Sequence, residues 1–202
     1  MYRWFRHAKF TMDQISAMTN PHFWWYVSRA SGIVAWGLLT ASVVWGVLLA
    51  TRMLKPYDRP AWLLDLHRWL GFLTLLAVAL HMVALFADSF VEFSVRDLLV
   101  PMSTTWRPWA VASGILAMYL LVAVQLSSVV MRKIPKKVWR VIHLTSYLMF
   151  CLVTLHSFLA GSDRGKNLFN MFALAVILMT ILATSIRVLY TRTPTRKVIT
   201  ES

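Results

Sequence analysis

The sequence predicts an all-α integral membrane bundle of five transmembrane helices. Three observations carry that prediction. Of 202 residues, 58% are hydrophobic and mean hydropathy is +0.61, which excludes an ordinary soluble domain and a disordered chain. Five apolar stretches are long enough to cross a bilayer, which takes ~20 residues of helix. The Lys and Arg behind the net charge of +13 cluster in the short segments between those stretches. In a soluble protein such a charge would point to nucleic acid. Here it reports membrane orientation and contact with anionic lipid, and no nucleic-acid partner is expected. The expected organisation is an N-terminal interfacial segment over residues 1–26, a transmembrane domain over 27–190 and a tail over 191–202.

Each element follows from its residues. Residues 1–21 are basic at the start and hold no continuous apolar run, so they are neither a secretory signal nor a span. Asn20-Pro21 ends this segment, and His22-Phe23-Trp24-Trp25-Tyr26 reads as an aromatic belt at the membrane surface. His7 and His22 fall outside the hydrocarbon and are expected to be ordinary surface histidines. The first span covers 27–50, where Gly32, Ala35, Gly37, Ala41 and Gly46 suit close helix packing. The second covers 61–87. The segment 88–108 is nearly balanced in charge, and residues 93–100 are expected to form a short surface helix before Pro101.

The third span covers 109–131, with Gln125, Ser127 and Ser128 expected to hydrogen-bond between helices. The most basic loop follows, holding Arg132, Lys133, Lys136, Lys137 and Arg140. The fourth span covers 138–160 and the fifth 168–190. Cys151 is the only cysteine, so no internal disulfide or cysteine cluster exists; it is expected to be a small buried apolar residue. Segments after spans one, three and five are rich in Lys and Arg, and those after two and four are not. The positive-inside rule then places a plasma-membrane protein with its C-terminus in the cytoplasm and its N-terminus outside.

Four histidines lie at membrane depth, where an ionisable side chain is costly and usually has a task. His67 and His81 are 14 residues apart on span two, which puts them ~21 Å apart along the axis and ~40° apart around it. His143 and His156 are 13 apart on span four, a rise of ~19.5 Å. Two helices thus offer an imidazole each at two matching depths. Neutral imidazole is a strong axial ligand for haem iron, so the pattern points to two haems between spans two and four. The spacing of 13 leaves His156 ~140° from the face of His143, to be absorbed by helix irregularity, rotation or rotamer. Spans two and four run in the same direction, which pairs His67 with His143 near the cytoplasm and His81 with His156 near the outside.

Leu66-His67-Arg68-Trp69 with a second histidine 14 on, and Trp139-Arg140-x-x-His143 with a second 13 on, resemble the ferric reductase-like transmembrane domain. That family includes the membrane parts of ferric reductases and NADPH oxidases and the haem subunit of the bacterial periplasmic methionine sulfoxide reductase system. Trp25-Tyr26-x-x-Arg29-Ala30-x-Gly32 and Asp97-Leu98-Leu99-Val100-Pro101 are similar to short actinobacterial members. The resemblance implies two b-type haems, inside-to-outside electron transfer, and His67, His81, His143 and His156 as axial ligands.

Full reductases of this kind continue into a cytoplasmic flavin and nicotinamide domain, and the larger members have six spans. This sequence shows five and no G-x-G-x-x-G, so a separate donor is expected, a flavoprotein reductase or a quinol. Arg68 and Arg140 are candidates to meet haem propionates at the inner surface, with Arg107 and Arg164 weaker candidates at the outer one. Gly71, one turn past His67, would let a macrocycle approach the backbone. Three functions compete: an oxidoreductase component reducing an extracytoplasmic acceptor; a quinol-linked haem subunit of a separate reductase, with Asp65 as a proton acceptor or simply a partner of Arg68; and a haem-free transporter or assembly protein.

Overall fold

A computed structural model of the chain describes residues 22–53 and 60–192. Residues 1–21 of the interfacial segment, with His7, part of the first loop and most of the tail lie outside the described residues. Among the described residues the protein is all-helical. Helix α1 spans Phe23–Thr51, α2 Pro60–Ala87, α3 Val95–Leu99, α4 Pro108–Val129, α5 Lys136–Ala160 and α6 Asn167–Arg192. All but α3 are long and apolar enough to cross a membrane.

The helix ends explain themselves. Pro108 opens α4 at a position where the missing N–H is no loss, and Pro60 begins α2. The short α3 is held by a capping box: Ser94 Oγ accepts from Asp97 N at 3.2 Å, and Asp97 Oδ2 accepts from Ser94 N at 3.0 Å. Helix α1 starts at Phe23, so the aromatic belt is its first turn rather than a separate approach to the membrane.

The packing has a definite plan. Helix α1 packs on α2 and α5, and α4 also packs on α2 and α5. These four helices form a ring in which α2 and α5, the two histidine helices, stand on opposite sides without packing closely on each other. Helix α6 lies outside the ring, chiefly against α1. Trp36 is 1% exposed and locks this join, with Phe158 of α5 and Phe169 and Phe172 of α6 around its ring.

Two expectations change. Ser127 and Ser128 donate to Val124 O of their own helix, at 2.9 and 2.8 Å, rather than across to a neighbour, because an i−3 or i−4 carbonyl is the nearest acceptor. Cys151 is exposed, not buried: α5 is only lightly covered, so its outer face meets lipid.

The start of α1 is tied to the α5–α6 turn. Asp163 accepts from Arg29 Nε at 2.8 Å and from Arg29 Nη2, and Lys166 Nζ lies 2.8 Å away. Arg29 also stacks over Trp25 at 4.0 Å. The Arg29 hydrogen bonds hold the Asp163 carboxyl below the usual carboxylate range, against the opposing pull of burial. A carboxyl depressed in the folded state stabilises the fold above its unfolded pKa of ~3.9 and loses that contribution as pH falls through the lower folded value. Asp163→Asn should therefore cost ~1–3 kcal/mol at neutral pH. Thermal unfolding in detergent should show this gap to the wild type closing below pH ~4; a gap unchanged with pH would contradict the assignment.

Candidate functional site

The four membrane histidines converge in two pairs. The rings of His67 and His143 are 5.8 Å apart between centres, and those of His81 and His156 are 6.3 Å apart. The first histidine of α2 meets the first of α5 and the second meets the second, so the two helices run parallel, as their order in the chain requires. No 3-10 or π turn interrupts α5, so the ~140° offset between His143 and His156 is absorbed by ring direction and helix orientation.

Each ring is positioned by a neighbour in the ring of helices. His81 Nδ1 lies 2.7 Å from Ser28 O on α1, and His156 Nδ1 lies 2.8 Å from Ala110 O on α4. A carbonyl only accepts, so both Nδ1 atoms donate, and both Nε2 lone pairs stay free for a metal. His67 Nδ1 has a longer contact, 3.4 Å, to Ser42 Oγ of α1. His143 differs: its Nδ1 is buried with no protein partner, and its ring stacks on Trp139 one turn earlier, at 5.0 Å and 26°. The His81/His156 pair is thus fixed by backbone carbonyls and the His67/His143 pair is held more loosely.

Glycines make room for the imidazoles. A Cβ on Gly32 would come within 3.3 Å of the His81 ring, one on Gly46 within 3.2 Å of His67, and one on Gly114 within 2.7 Å of His156 Nδ1. Gly32 and Gly46 are 14 residues apart, like His67 and His81, which is what two antiparallel neighbours need to match both contacts. The sequence offered that signal, yet these glycines were readable there only as general packing residues. Gly71 has another role: the Gln125 side chain of α4 lies over it, so its open side is already filled.

A cavity of about 530 Å³ opens between α2 and α5 around His81 and His156. It is mostly apolar and within the size range of cofactor sites. Asp88, Arg29 and Arg107 lie along its wall. Arg107 donates to Leu159 O at 2.7 Å, and Arg164 is exposed with a 3.4 Å contact to Phe158 O.

Arg68 is exposed and pairs with Asp65 at 3.1 Å, and Arg140 is exposed at the start of α5. The cation within electrostatic reach of His143 is Arg187 of α6, which donates to Tyr147 Oη at 2.9 Å. Its place near the end of an apolar span, rather than in the tail, was the available sequence signal.

Two pairs of facing imidazoles inside a bundle of five membrane-length helices define a multi-pass membrane protein with histidines paired across its centre. Residues 31–154, well over half of the chain, match the family described as ferric reductase like transmembrane component, and the chain belongs to it. The match runs from α1 into α5 and holds His67, His81 and His143; His156 lies two residues beyond it. Neither a curated protein nor a solved structure matches the chain. Family membership makes membrane electron transfer the class of activity.

The glycine contacts yield a stability order. Alanine in a helix gains up to ~1 kcal/mol over glycine where nothing is in the way. At Gly37 the nearest atom to a new Cβ is Phe172 Cζ at 3.5 Å, an ordinary contact. At Gly114 the new Cβ meets an imidazole anchored to a backbone carbonyl, and such overpacking costs ~1–3 kcal/mol. Gly37→Ala should leave the melting temperature in detergent equal or raised, and Gly114→Ala should lower it by several degrees. The reverse order would show that the His156 ring is not held where Ala110 places it.

Proposed function

We propose that this chain is a transmembrane di-haem b cytochrome that carries electrons across the plasma membrane to an extracytoplasmic acceptor. The observation that carries the reading is the pair of facing imidazole sets, ~20 Å apart along parallel helices on opposite sides of one ring. Metal–imidazole bonds of ~2.0 Å on both sides of one metal would separate the ring centres by ~6 Å, close to the spacings seen. Among the described residues no three His, Cys, Asp or Glu side chains gather as an ion site. A bare ion such as zinc wants four ligands, whereas haem brings four nitrogens and needs two. The separation of α2 from α5, the glycine rests and the free Nε2 lone pairs support the same group.

In this reading His67 and His143 hold one haem, and His81 and His156 the other, with residues 27–190 as the haem-binding domain. Haem, when bound, supplies one-electron exchange at its iron. The chain's own residues do the rest. Ser28 O and Ala110 O fix the His81 and His156 tautomers and make those imidazoles more basic. With two imidazoles per iron no coordination position is left, so an acceptor meets the edge of the site, not the metal. Arg187 brings positive charge to the His67/His143 site, and Arg68 and Arg140 are the candidates to meet haem propionates at the inner surface. The loops rich in Lys and Arg support a cytoplasmic side for the C-terminus and the His67/His143 site. The donor is a separate flavoprotein or a quinol, and the bilayer is the other partner.

The test is spectroscopic. Purified protein should show low-spin b-type bands and two haems per chain by pyridine haemochrome assay; no haem would sink the reading. His67→Ala and His143→Ala should remove the same redox component, and His81→Ala and His156→Ala the other, while His22→Ala should leave the spectrum unchanged. Loss of one shared component in His67→Ala and His156→Ala would overturn the pairing. Arg187→Gln should lower the midpoint of the His67/His143 component by about 50–100 mV, the one-electron equivalent of ~1–2 kcal/mol for a charge ~8–15 Å away at an effective dielectric of ~20. An unchanged or raised midpoint in spectroelectrochemical titration would remove Arg187 from that site.

A further inference from the structure

Asp88 follows the last residue of α2 and lies seven residues after His81, so it sits on the same face, ~10 Å further along the axis. It is 6% exposed and lines the cavity that holds His81 and His156. Its carboxylate accepts from Phe90 N at 3.3 Å, and Val91 N also points to it. Among the described residues no Lys or Arg forms an ion pair with it.

Among the described residues, His22, Arg29 and Arg107 are the cationic groups around it. His22, before α1, interacts with its charge across the mouth. Arg29 on the cavity wall is engaged by Asp163, which Lys166 also meets. Arg107 is directed to Leu159 O and lies over Trp106 at 5.1 Å. The C-terminal carbonyls of α2 add negative potential where Asp88 sits. Burial pushes the Asp88 carboxyl above the usual carboxylate range, and the two backbone N–H groups and His22 only partly offset this. Buried at the negative end of a helix and, among the described residues, paired with no Lys or Arg, Asp88 is the group in this cavity most ready to take a proton.

We propose that Asp88 is a proton-binding site whose occupancy is linked to the electron held between His81 and His156. The proposal rests on the haem reading above. One electron, supplied by the donor or by an electrode, reduces the iron; one proton from the aqueous side converts the Asp88 carboxylate to the acid, and no other bond changes. The linkage is reciprocal: reduction raises proton affinity at Asp88, and protonation makes this site a better electron acceptor. Acidification on that side would then draw electrons towards the mouth.

The experiment is a redox titration of the full-length protein in nanodiscs from ~pH 4 to ~pH 8. The midpoint of the His81/His156 component should fall with rising pH, by up to ~59 mV for each tenfold drop in proton concentration. The His67/His143 component should not. Asp88→Asn should abolish the slope and hold the midpoint near the acid limit of the wild type, since an amide mimics the protonated acid. Asp88→Glu should restore a slope, and His22→Ala should retain it. Redox-difference infrared spectra of the wild type should gain a protonated-carboxyl band on reduction, which keeps the test open if Asp88→Asn folds poorly. A haem-loaded wild type with a pH-independent midpoint, or an Asp88→Asn protein with two haems and the wild-type slope, would overturn the linkage alone. Absence of haem in the wild type would overturn the functional reading instead.

Discussion

A histidine surrounded by hydrocarbon needs a partner for each ring nitrogen, and that demand organises the central helices. Hydrocarbon offers no hydrogen bonds, so the partner must come from another helix or from a bound group. Here one nitrogen of His81 turns to α1, and one of His156 turns to α4. The second nitrogen of each is thereby free to face the opposite histidine helix. The same two neighbours, α1 and α4, hold α2 and α5 apart, so the space between the imidazoles is a property of the ring and not of any one helix.

The two sites are not equivalent. Backbone carbonyls anchor both imidazoles of the His81/His156 pair, and a carbonyl cannot be lost by mutation. The His67/His143 pair relies on a serine hydroxyl at longer range and on Trp139 stacking. The surrounding charges differ too, with a buried acid in the cavity of the first pair and a guanidinium beside the second. Two pairs of the same side chain therefore acquire different electrostatic surroundings.

Much of this was legible in the sequence. The five spans agree with the helices to within a few residues, because long apolar runs admit only one regular structure in a membrane. The short α3 was readable from its own residues, as Ser94 and Asp97 cap it locally. The pairing of the histidines followed from matched spacing and parallel order. What sequence could not supply was direction around each helix. Arg68 and Arg140 neighbour the histidines in sequence yet point outward, whereas Arg187 comes from a helix outside the ring. Gly71 adjoins His67 but faces Gln125, and Asp88 is readable as a loop acid until the cavity places it on the wall shared with His81.

The exposure of Cys151 has a practical consequence. It is the chain's only cysteine, it faces away from the ring, and it lies on α5 between His143 and His156. A nitroxide or fluorophore attached there needs no engineered background and sits in the acyl chains rather than in a protein contact. Its collision rates with oxygen and with a water-soluble quencher would report how deeply α5 is immersed. One native thiol thus serves as a depth gauge for the helix that carries half of the imidazoles.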